Sequence, residues 1–191
     1  MDEVSRTRSV YESDIDTYVD KYLSVSIAER YGEEFCNTLD GNRILDVGCG
    51  PGSDLATFTS AGYNVVGLDV VSSFLQVANS HTPDASLVQG DMRQMPFQDE
   101  AFDGIWSSAS FLHIPRSHAT DTLQEFRRVL QDNGVIFLSV KRNQLRTDTM
   151  NGRYFEYYQP NDIRYILSQA GFSQIRSKTD NIWVTVTARK G

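Results

Sequence analysis

The sequence predicts an α/β fold, a Rossmann-like and mostly parallel sheet with helices on both faces, from three observations. Short apolar runs rich in β-branched residues alternate with amphipathic runs from residue 44 onward. A glycine-rich turn follows the first apolar run, and an acidic residue closes the second. The length of 191 residues suits one domain of this class and is too small for two. We therefore expect a single domain over residues 1–191.

Five apolar runs are predicted to form parallel strands, because each is short, apolar and favours extended backbone. They are residues 43–47, 64–68, 86–89, 104–107 and 135–140. Residues 173–178 and 183–189 flank a polar turn and predict an antiparallel hairpin at the end of the chain. This hairpin helps to separate the families of nucleotide-binding folds.

The amphipathic stretches between these strands predict helices at residues 53–61, 72–80, 117–130 and 161–170. Serine or asparagine is expected to cap their N-termini, and Gly62 and Gly171 are expected to end the first and the last of them. Residues 10–23 and 27–39 predict two more helices before the first strand. We expect these two to lie across the carboxyl edge of the sheet.

The chain is thereby divided into a helical cap, residues 1–40, and a core, residues 41–191. The longest irregular stretch, residues 143–159, follows the fifth strand. Loops at that edge of an α/β sheet are where binding residues concentrate.

Composition excludes several classes of function. The net charge of −7 at pH 7 works against neutralising many phosphates, so we expect no nucleic-acid partner. No stretch approaches 18 uncharged apolar residues, which predicts no membrane-spanning helix. Cys36 and Cys49 lack the C-x-x-C spacing, and no basic and then apolar signal begins the chain, so we expect a cytoplasmic protein. His81 and His118 lack a metal-ligand spacing, which predicts no metal.

A glycine-rich loop joins the first strand to the first core helix. Residues 44–54 read ILDVGCGPGSD, in which Gly48, Gly50 and Gly52 allow a sharp turn and a close approach to a ligand. Asp69 closes the second strand 19 residues past Gly50, where a carboxylate can accept both hydroxyls of a ribose. The pair of features predicts a nucleotide-like ligand.

The charges beside the loop bear on whether that ligand carries a pyrophosphate or a cation. Asp46 enters the loop and Asp54 follows it, so a pyrophosphate at this helix N-terminus would face two carboxylates. Ser53 stands where G-x-G-x-x-G has its third glycine. Both observations favour S-adenosyl-L-methionine, which has a sulfonium, an ammonium and no phosphate. An NAD-dependent oxidoreductase and a module that binds S-adenosylmethionine without catalysis stay open as alternatives.

Three signatures carry a resemblance to the class I S-adenosylmethionine-dependent methyltransferases, in particular to the ubiquinone and menaquinone biosynthesis type. They are residues 45–52 (LDVGCGPG), 66–69 (VGLD) and 90–97 (GDMRQMPF), the last followed by Phe102 and Asp103. The resemblance implies a seven-stranded sheet with an antiparallel last strand and methyl transfer to a small-molecule acceptor. It departs from the family at Val71, where relatives often have a helix-capping serine; Ser72 is expected to take that role.

The resemblance also implies roles for single residues. Asp46 and Gly48 would face the methionine end of the cofactor, Asp69 its ribose and Asp91 its adenine amino group. The implied cofactor-binding set is Tyr11, Tyr18, Asp46, Gly48, Gly50, Asp69, Val70, Asp91, Met92 and Ser107.

The segment after the fourth strand, residues 107–115, is expected beside the transferred methyl group. It has neither the Asp/Asn-Pro-Pro-aromatic run of amino-methylating DNA enzymes nor the two glutamates of protein arginine methyltransferases. His113, its one titratable side chain, is a candidate general base or a residue that pins the loop by hydrogen bonds.

The acceptor pocket is expected from the long loop, where tyrosines combine packing area with a polar tip. The candidate substrate residues are Phe111, Arg153, Tyr154 and Tyr157, with Tyr158 beside them. The alternative interpretation of the loop residues is a surface strand packed under the N-terminal helices. The sequence leaves the acceptor and the oligomeric state open.

Overall fold

The computed structural model describes residues 2–142 and 147–191. Nine strands are described: β1 (Arg43–Val47), β2 (Asn64–Asp69), β3 (Ser86–Gln89), β4 (Phe102–Ser108), β5 (Leu130–Lys141), β6 (Thr147–Met150), β7 (Arg153–Glu156), β8 (Phe172–Thr179) and β9 (Trp183–Lys190). The described helices are α1 (Glu3–Ser13), α2 (Ile15–Leu23), α3 (Ala28–Cys36), α4 (Ser53–Ser60), α5 (Ser72–His81), α6 (Arg116–Val129) and α7 (Pro160–Gln169). A single 3-10 turn, Phe111–His113, follows β4.

Seven strands form one sheet in the order β3-β2-β1-β4-β5-β9-β8. Strands β1 to β5 are parallel, and β9 runs antiparallel to both of its neighbours, β5 and β8. The predicted fold class, a mostly parallel seven-stranded sheet with an antiparallel last strand, is confirmed. The strand order reverses between β1 and β4, and ligands of open α/β sheets bind at such a point.

The sheet carries a packed layer on each face, as a parallel sheet requires. Alternate residues of β1 serve the two layers: Leu45 packs with α6 and α7, and Ile44 packs with α3 and α4. On the second face, the rings of Trp106 and Phe137 stack with centroids 3.8 Å apart. Phe35 and Phe58 contact the same indole edge to face. The carboxyl ends of the strands are therefore held on a rigid base.

The N-terminal region differs from the prediction of one helix at residues 10–23. The structure has two helices there, because the chain leaves helical geometry at Asp14 (φ −143°, ψ 52°). The first of them begins earlier, at Glu3, where the Asp2 carboxylate accepts a hydrogen bond from the Ser5 N–H and caps the helix. The predicted helix at residues 27–39 is shorter, Ala28–Cys36.

The predicted N-caps are wrong in the core helices. Helix α4 begins at Ser53 after Gly52, and α5 begins at Ser72 after Val71, and neither preceding residue makes a side-chain cap. Ser72 therefore does not replace the capping serine of relatives. The predicted stops are confirmed: Gly62 and Gly171 have φ of 87° and 89°, the left-handed conformation that ends helices.

The stretch predicted as irregular contains a β-hairpin. Strands β6 and β7 pair antiparallel across Asn151 and Gly152, which both have positive φ as a tight hairpin turn requires. Strand β7 packs against α1 and the 3-10 turn. Residues 143–146 of the predicted loop lie outside the described part of the chain. None of the described helices combines the length and the apolar character needed to cross a membrane.

Candidate functional site

A cavity of about 510 Å³ lies at the carboxyl ends of β1, β2 and β4, below α1 and α2. Its volume is in the range of pockets that hold small organic ligands. Acidic residues and the glycine loop line one half: Asp46, Gly48, Gly50, Asp69, Val70, Asp91 and Met92. Aromatic and basic residues line the other: Tyr11, Tyr22, His113, Lys141, Arg153 and Phe155. We refer to these as the acidic half and the basic half.

The glycine loop is locked to the end of β2 by its own backbone. The N–H groups of Gly48 and Cys49 donate to the Leu68 carbonyl at 2.7 and 3.1 Å, and the Gly50 N–H donates to Asp69 Oδ2 at 2.9 Å. A phosphate placed beside the loop would therefore not find these three N–H groups free. The loop thus allows a ligand to approach its backbone closely, but these three N–H groups are already hydrogen-bonded within the protein.

Two glycines of this loop need their residue type for different reasons. Gly48 has a φ of 74°, and a Cβ there would lie 2.3 Å from Ser110 Cβ. Gly50 has a φ of 54°, yet a Cβ there would have nothing within 4 Å. Gly48 is thus fixed by packing against Ser110, and Gly50 borders open space on the cavity side.

Asp46 is a buried acid without a complete set of partners. Its side chain is 2% exposed, and its Oδ2 atom has no hydrogen-bond partner. Burial, with the charges of Asp54 and Asp69 nearby, raises the pKa of Asp46 well above its ordinary value. A buried carboxylate in this state is stabilised by a cation placed beside it.

Asp69 lies at the end of β2 with both carboxylate oxygens engaged by backbone. Oδ1 accepts from the Val71 N–H at 2.8 Å and Oδ2 from the Gly50 N–H at 2.9 Å. Each oxygen keeps a second acceptor site, so the pair can also receive two ligand hydroxyls. Burial raises the pKa of Asp69 to about 6, although these hydrogen bonds act in the opposite direction.

Asp54 has a different role from Asp46, with which the sequence analysis grouped it. Its Oδ2 accepts from Trp106 Nε1 at 2.7 Å, and its Oδ1 accepts from the Ala28 N–H and the Ser26 hydroxyl at 2.9 and 2.8 Å. The carboxylate thereby ties the start of α3 to β4. Because the indole partner is 52 residues away, nothing in the sequence near Asp54 indicates this bond.

Asp91 lines the cavity with its carboxylate already paired. Arg93 Nε and Nη2 donate to Asp91 Oδ2 at 3.0 and 2.7 Å, and Arg93 Nη1 donates to Asp2 Oδ2 at 2.9 Å. Arg93 thus links the end of β3 to the cap of α1. Arg93 was not among the residues indicated by the sequence. Its position two residues past Asp91 could have indicated the pairing.

His113 has a defined tautomer. Its Nδ1 lies 2.7 Å from the Tyr154 carbonyl oxygen, which can only accept, so Nδ1 carries the proton. Its Nε2 therefore accepts from the Tyr11 hydroxyl, 3.0 Å away. Burial lowers the pKa of His113 to about 4, so the ring is neutral at physiological pH.

Arg153 continues this network on the other side of Tyr11. Its Nη1 donates to the hydroxyls of Tyr11 and Tyr22 at 3.1 and 3.0 Å. Tyr22 was not among the residues indicated by the sequence, although it follows Tyr18 by one helical turn.

The remaining candidate residues lie outside the lining of the cavity. Tyr18 is buried against Tyr22, with nearly parallel rings at 6.0 Å, in a cluster with Val71 and Phe74. Ser107 is buried and its hydroxyl lies 2.7 Å from that of Ser110. The other four are Phe111, Tyr157 and Tyr158, which are part of the core cluster behind the cavity, and Tyr154, whose hydroxyl donates to Glu156.

Metal ligands are not grouped in the part of the chain that the structure describes. No set of three or more His, Cys, Asp or Glu side chains there is arranged to hold an ion. Cys36 and Cys49 are both free thiols, and burial raises the pKa of Cys49 well above its ordinary value.

The family of the chain follows from comparison with known proteins. Residues 45–138 match the model of a methyltransferase domain. The ubiquinone biosynthesis O-methyltransferase of Actinobacillus pleuropneumoniae is 31% identical over 126 residues, which are 61% of this chain and 53% of that protein. Through residues 45–138 the chain contains a methyltransferase domain, and its resemblance to the class I S-adenosylmethionine-dependent methyltransferases is confirmed. It spans about half or less of the length of the curated relatives it matches.

Solved structures show the same fold at low sequence identity. The magnesium protoporphyrin IX methyltransferase of Synechocystis PCC 6803, solved with bound S-adenosylmethionine, has a TM-score of 0.78 and 18% identity. The alignment covers 100% of this chain and 98% of that one. The cyclase SpnF has a TM-score of 0.69 and 19% identity over 85% of this chain and 80% of its own. One architecture therefore occurs in proteins with different reactions.

Proposed function

We propose that this protein binds S-adenosylmethionine in the acidic half of the cavity and transfers its methyl group to a small molecule bound in the basic half. The observation that carries the proposal is the partnerless Oδ2 of buried Asp46, among neighbouring carboxylates and beside a loop whose N–H groups are engaged. This combination attracts a cation and offers little to a pyrophosphate.

Each half of the cofactor has a matching residue. Asp46 would receive the ammonium group of the methionine end, and Asp69 the two ribose hydroxyls through its remaining acceptor sites. Met92 and Val70 offer apolar surface for the adenine ring near Asp91. For Asp91 to bind the adenine amino group as well, it must share its oxygens with Arg93.

When bound, S-adenosylmethionine supplies a methyl group that its sulfonium has already activated for displacement. The protein therefore has to position the acceptor in line with the departing sulfur and to exclude water. Placement of this kind is worth roughly 7 kcal/mol or more of the barrier. Within the predicted cap of residues 1–40, helices α1 and α2 would provide the exclusion, since α3 packs beside α4 on one face of the sheet.

His113 acts in this proposal by positioning rather than as the general base. Its Nε2 accepts from Tyr11 and its Nδ1–H donates to the Tyr154 carbonyl, so both ring nitrogens are engaged. A ring with a pKa of about 4 is also a weak proton acceptor at neutral pH. The bonds hold Tyr11 and strand β7 against the 3-10 turn.

Two alternative functions would use the same cavity. An NAD-dependent oxidoreductase would place a pyrophosphate near Asp46 and Asp54, beside a loop in which the N–H groups of Gly48, Cys49 and Gly50 are engaged. The second candidate is a module that binds S-adenosylmethionine without transferring its methyl group, which is considered because the same architecture occurs in a protein named for another reaction, a cyclase. The two free cysteines fit the expected reducing cytoplasm.

Thermal unfolding and a labelling assay test these alternatives. We expect S-adenosylhomocysteine to raise the unfolding temperature and NAD to leave it unchanged. Cell extract incubated with the protein and methyl-labelled S-adenosylmethionine should yield a labelled small molecule. Protection by NAD alone would support the oxidoreductase, and protection by S-adenosylhomocysteine without any labelled product would support the non-methylating function.

A further inference from the structure

Arg153 is a buried cation without a counter-charge among the described side chains. It is 5% exposed, and its Nε–H, fully buried, has no hydrogen-bond partner. The bonds it makes are to two neutral phenols, Tyr11 and Tyr22. Buried charges in proteins are normally paired, because an unpaired one is strongly disfavoured by desolvation. Arg153 is thus an unpaired positive charge on the wall of the cavity, where an anion would complete it.

The side chains around Arg153 indicate the shape of a ligand that would bind beside it. The guanidinium carbon lies 4.9 to 5.3 Å from the ring centroids of Tyr11, Tyr18 and Phe155. The Lys141 ammonium lies 4.1 Å from the Phe155 ring centroid and also lines the cavity. Positive charge therefore sits among flat apolar surfaces.

We propose that the methyl acceptor carries an anionic group, a carboxylate or a phosphate on a planar apolar body, and that Arg153 binds this group. The inference rests on the proposed function and adds the chemical class of the acceptor. Arginine suits this task because its planar fork matches both oxyanions. Arg153 lines the cavity, and among the described residues its hydrogen bonds are to two phenol hydroxyls and to no carboxylate.

The carboxylate of the cofactor itself is the competing occupant of Arg153. The acidic half contains Asp46 and Asp69, whose charges would repel a carboxylate, whereas Arg153 is bonded to Tyr11 of the basic half. We therefore assign Arg153 to the acceptor, and the experiment must separate the two anions.

Calorimetric titration of the protein saturated with S-adenosylhomocysteine makes this separation. The probes are 4-hydroxybenzoate and phenyl phosphate, with 4-hydroxybenzamide as the neutral match. We expect the two anions to bind at least about tenfold more tightly than the amide. Arg153→Gln should abolish that preference, Arg153→Lys should restore part of it, and the exposed Arg164→Gln should leave it unchanged.

Two further readouts protect the result from a folding artefact. The unfolding temperature of free Arg153→Gln should be equal to or above that of the wild type, because an unpaired buried charge is removed. Its affinity for S-adenosylhomocysteine should stay within about threefold of wild type.

Three outcomes would overturn the proposal. They are equal binding of the anions and the amide, loss of S-adenosylhomocysteine affinity in Arg153→Gln, and a lower unfolding temperature of that variant. Failure of the wild type to bind S-adenosylhomocysteine would instead refute the proposed function, and the anion titration on the free protein would still report on Arg153.

Discussion

The two halves of the cavity are built in different ways. In the acidic half, backbone hydrogen bonds hold the loop to β2 through Leu68 and Asp69, and neighbouring strands supply the acidic side chains. In the basic half, side chains distant in sequence meet: Tyr11 is bonded to His113 and Arg153, 102 and 142 residues away. The first half is a local property of strand, loop and helix, whereas the second exists only in the folded chain.

This difference has a functional meaning. A ligand shared by a whole family can be served by a site built from a short stretch of backbone, which changes little when side chains elsewhere change. An acceptor that differs between relatives is better served by side chains on separate elements. The following predictions test whether the two halves are independent in this way.

The largest effect is expected from Gly48→Ala. The new methyl group would meet Ser110 in a backbone conformation that disfavours L-residues, so we expect a loss of about 3 kcal/mol in unfolding free energy and no measurable cofactor binding. Gly62→Ala is the matched control, since its φ is also positive but its Cβ has nothing within 4 Å. Urea denaturation should give a loss of only about 1 kcal/mol for it. Equal losses would remove the packing argument.

Asp46→Asn and Asp54→Asn should separate binding from folding. Asp46→Asn removes a buried charge that lacks a partner, so the free protein should be as stable as the wild type while affinity for S-adenosylhomocysteine falls about 100-fold. Asp54→Asn replaces one acceptor oxygen by an NH2 group, so it breaks either the bond from Trp106 or the bonds from Ala28 and Ser26, and it should lower the unfolding free energy by about 2 kcal/mol. Calorimetry and denaturation measure both; a pattern reversed between the two variants would contradict the assignment of Asp46.

The acidic half should release its cofactor in acid. The pKa of Asp69 in the free protein is raised to about 6, and that of Asp46 is raised too, so both gain protons as the pH falls. Because the cofactor needs the ionised form of Asp69, affinity should fall by about tenfold or more per pH unit below pH 6. In the free protein the sign is opposite, since raised carboxyl pKa values favour the folded state at lower pH. Titration calorimetry at pH 5 to 8 measures the first effect, and unchanged affinity at pH 5 would refute it.

The smallest effect is expected at His113. In His113→Asn, the side-chain amide can still donate to the Tyr154 carbonyl but loses the bond to Tyr11. We therefore expect a fall in kcat of no more than about tenfold. The pH profile of the wild type should have no inflection near 6.5, because His113 stays neutral down to about pH 4. A loss of about 1,000-fold together with an inflection near neutral pH would make His113 the base after all.

The sequence predicted the sheet and the acidic half because their signals are local. Gly48 and Asp69 stand at fixed spacings along the chain, and the strands are recognisable as apolar runs. The role of Asp54 could not be predicted, since its partner Trp106 is distant in sequence. The N-caps were wrong for a similar reason: Val71, the residue before α5, is held by a bond from its N–H to the Asp69 carboxylate, which no pattern of capping residues contains.

The basic half shows more clearly what could not be predicted from the sequence. The sequence indicated Arg153 and Tyr157 equally, but Tyr157 lies beyond the end of β7. Nothing in the sequence shows where this strand ends or which elements pack against it. Arg153 reaches the cavity, whereas Tyr157 is part of the core. The pairing of β7 with α1 decides this, and it is a tertiary contact.

A crystal structure with bound S-adenosylhomocysteine would test the division of the cavity most directly. We expect the ammonium group against Asp46 Oδ2, the ribose hydroxyls on Asp69, and no contact between the ligand and Arg153. A ligand carboxylate on the Arg153 guanidinium, or an ammonium group away from Asp46, would contradict it.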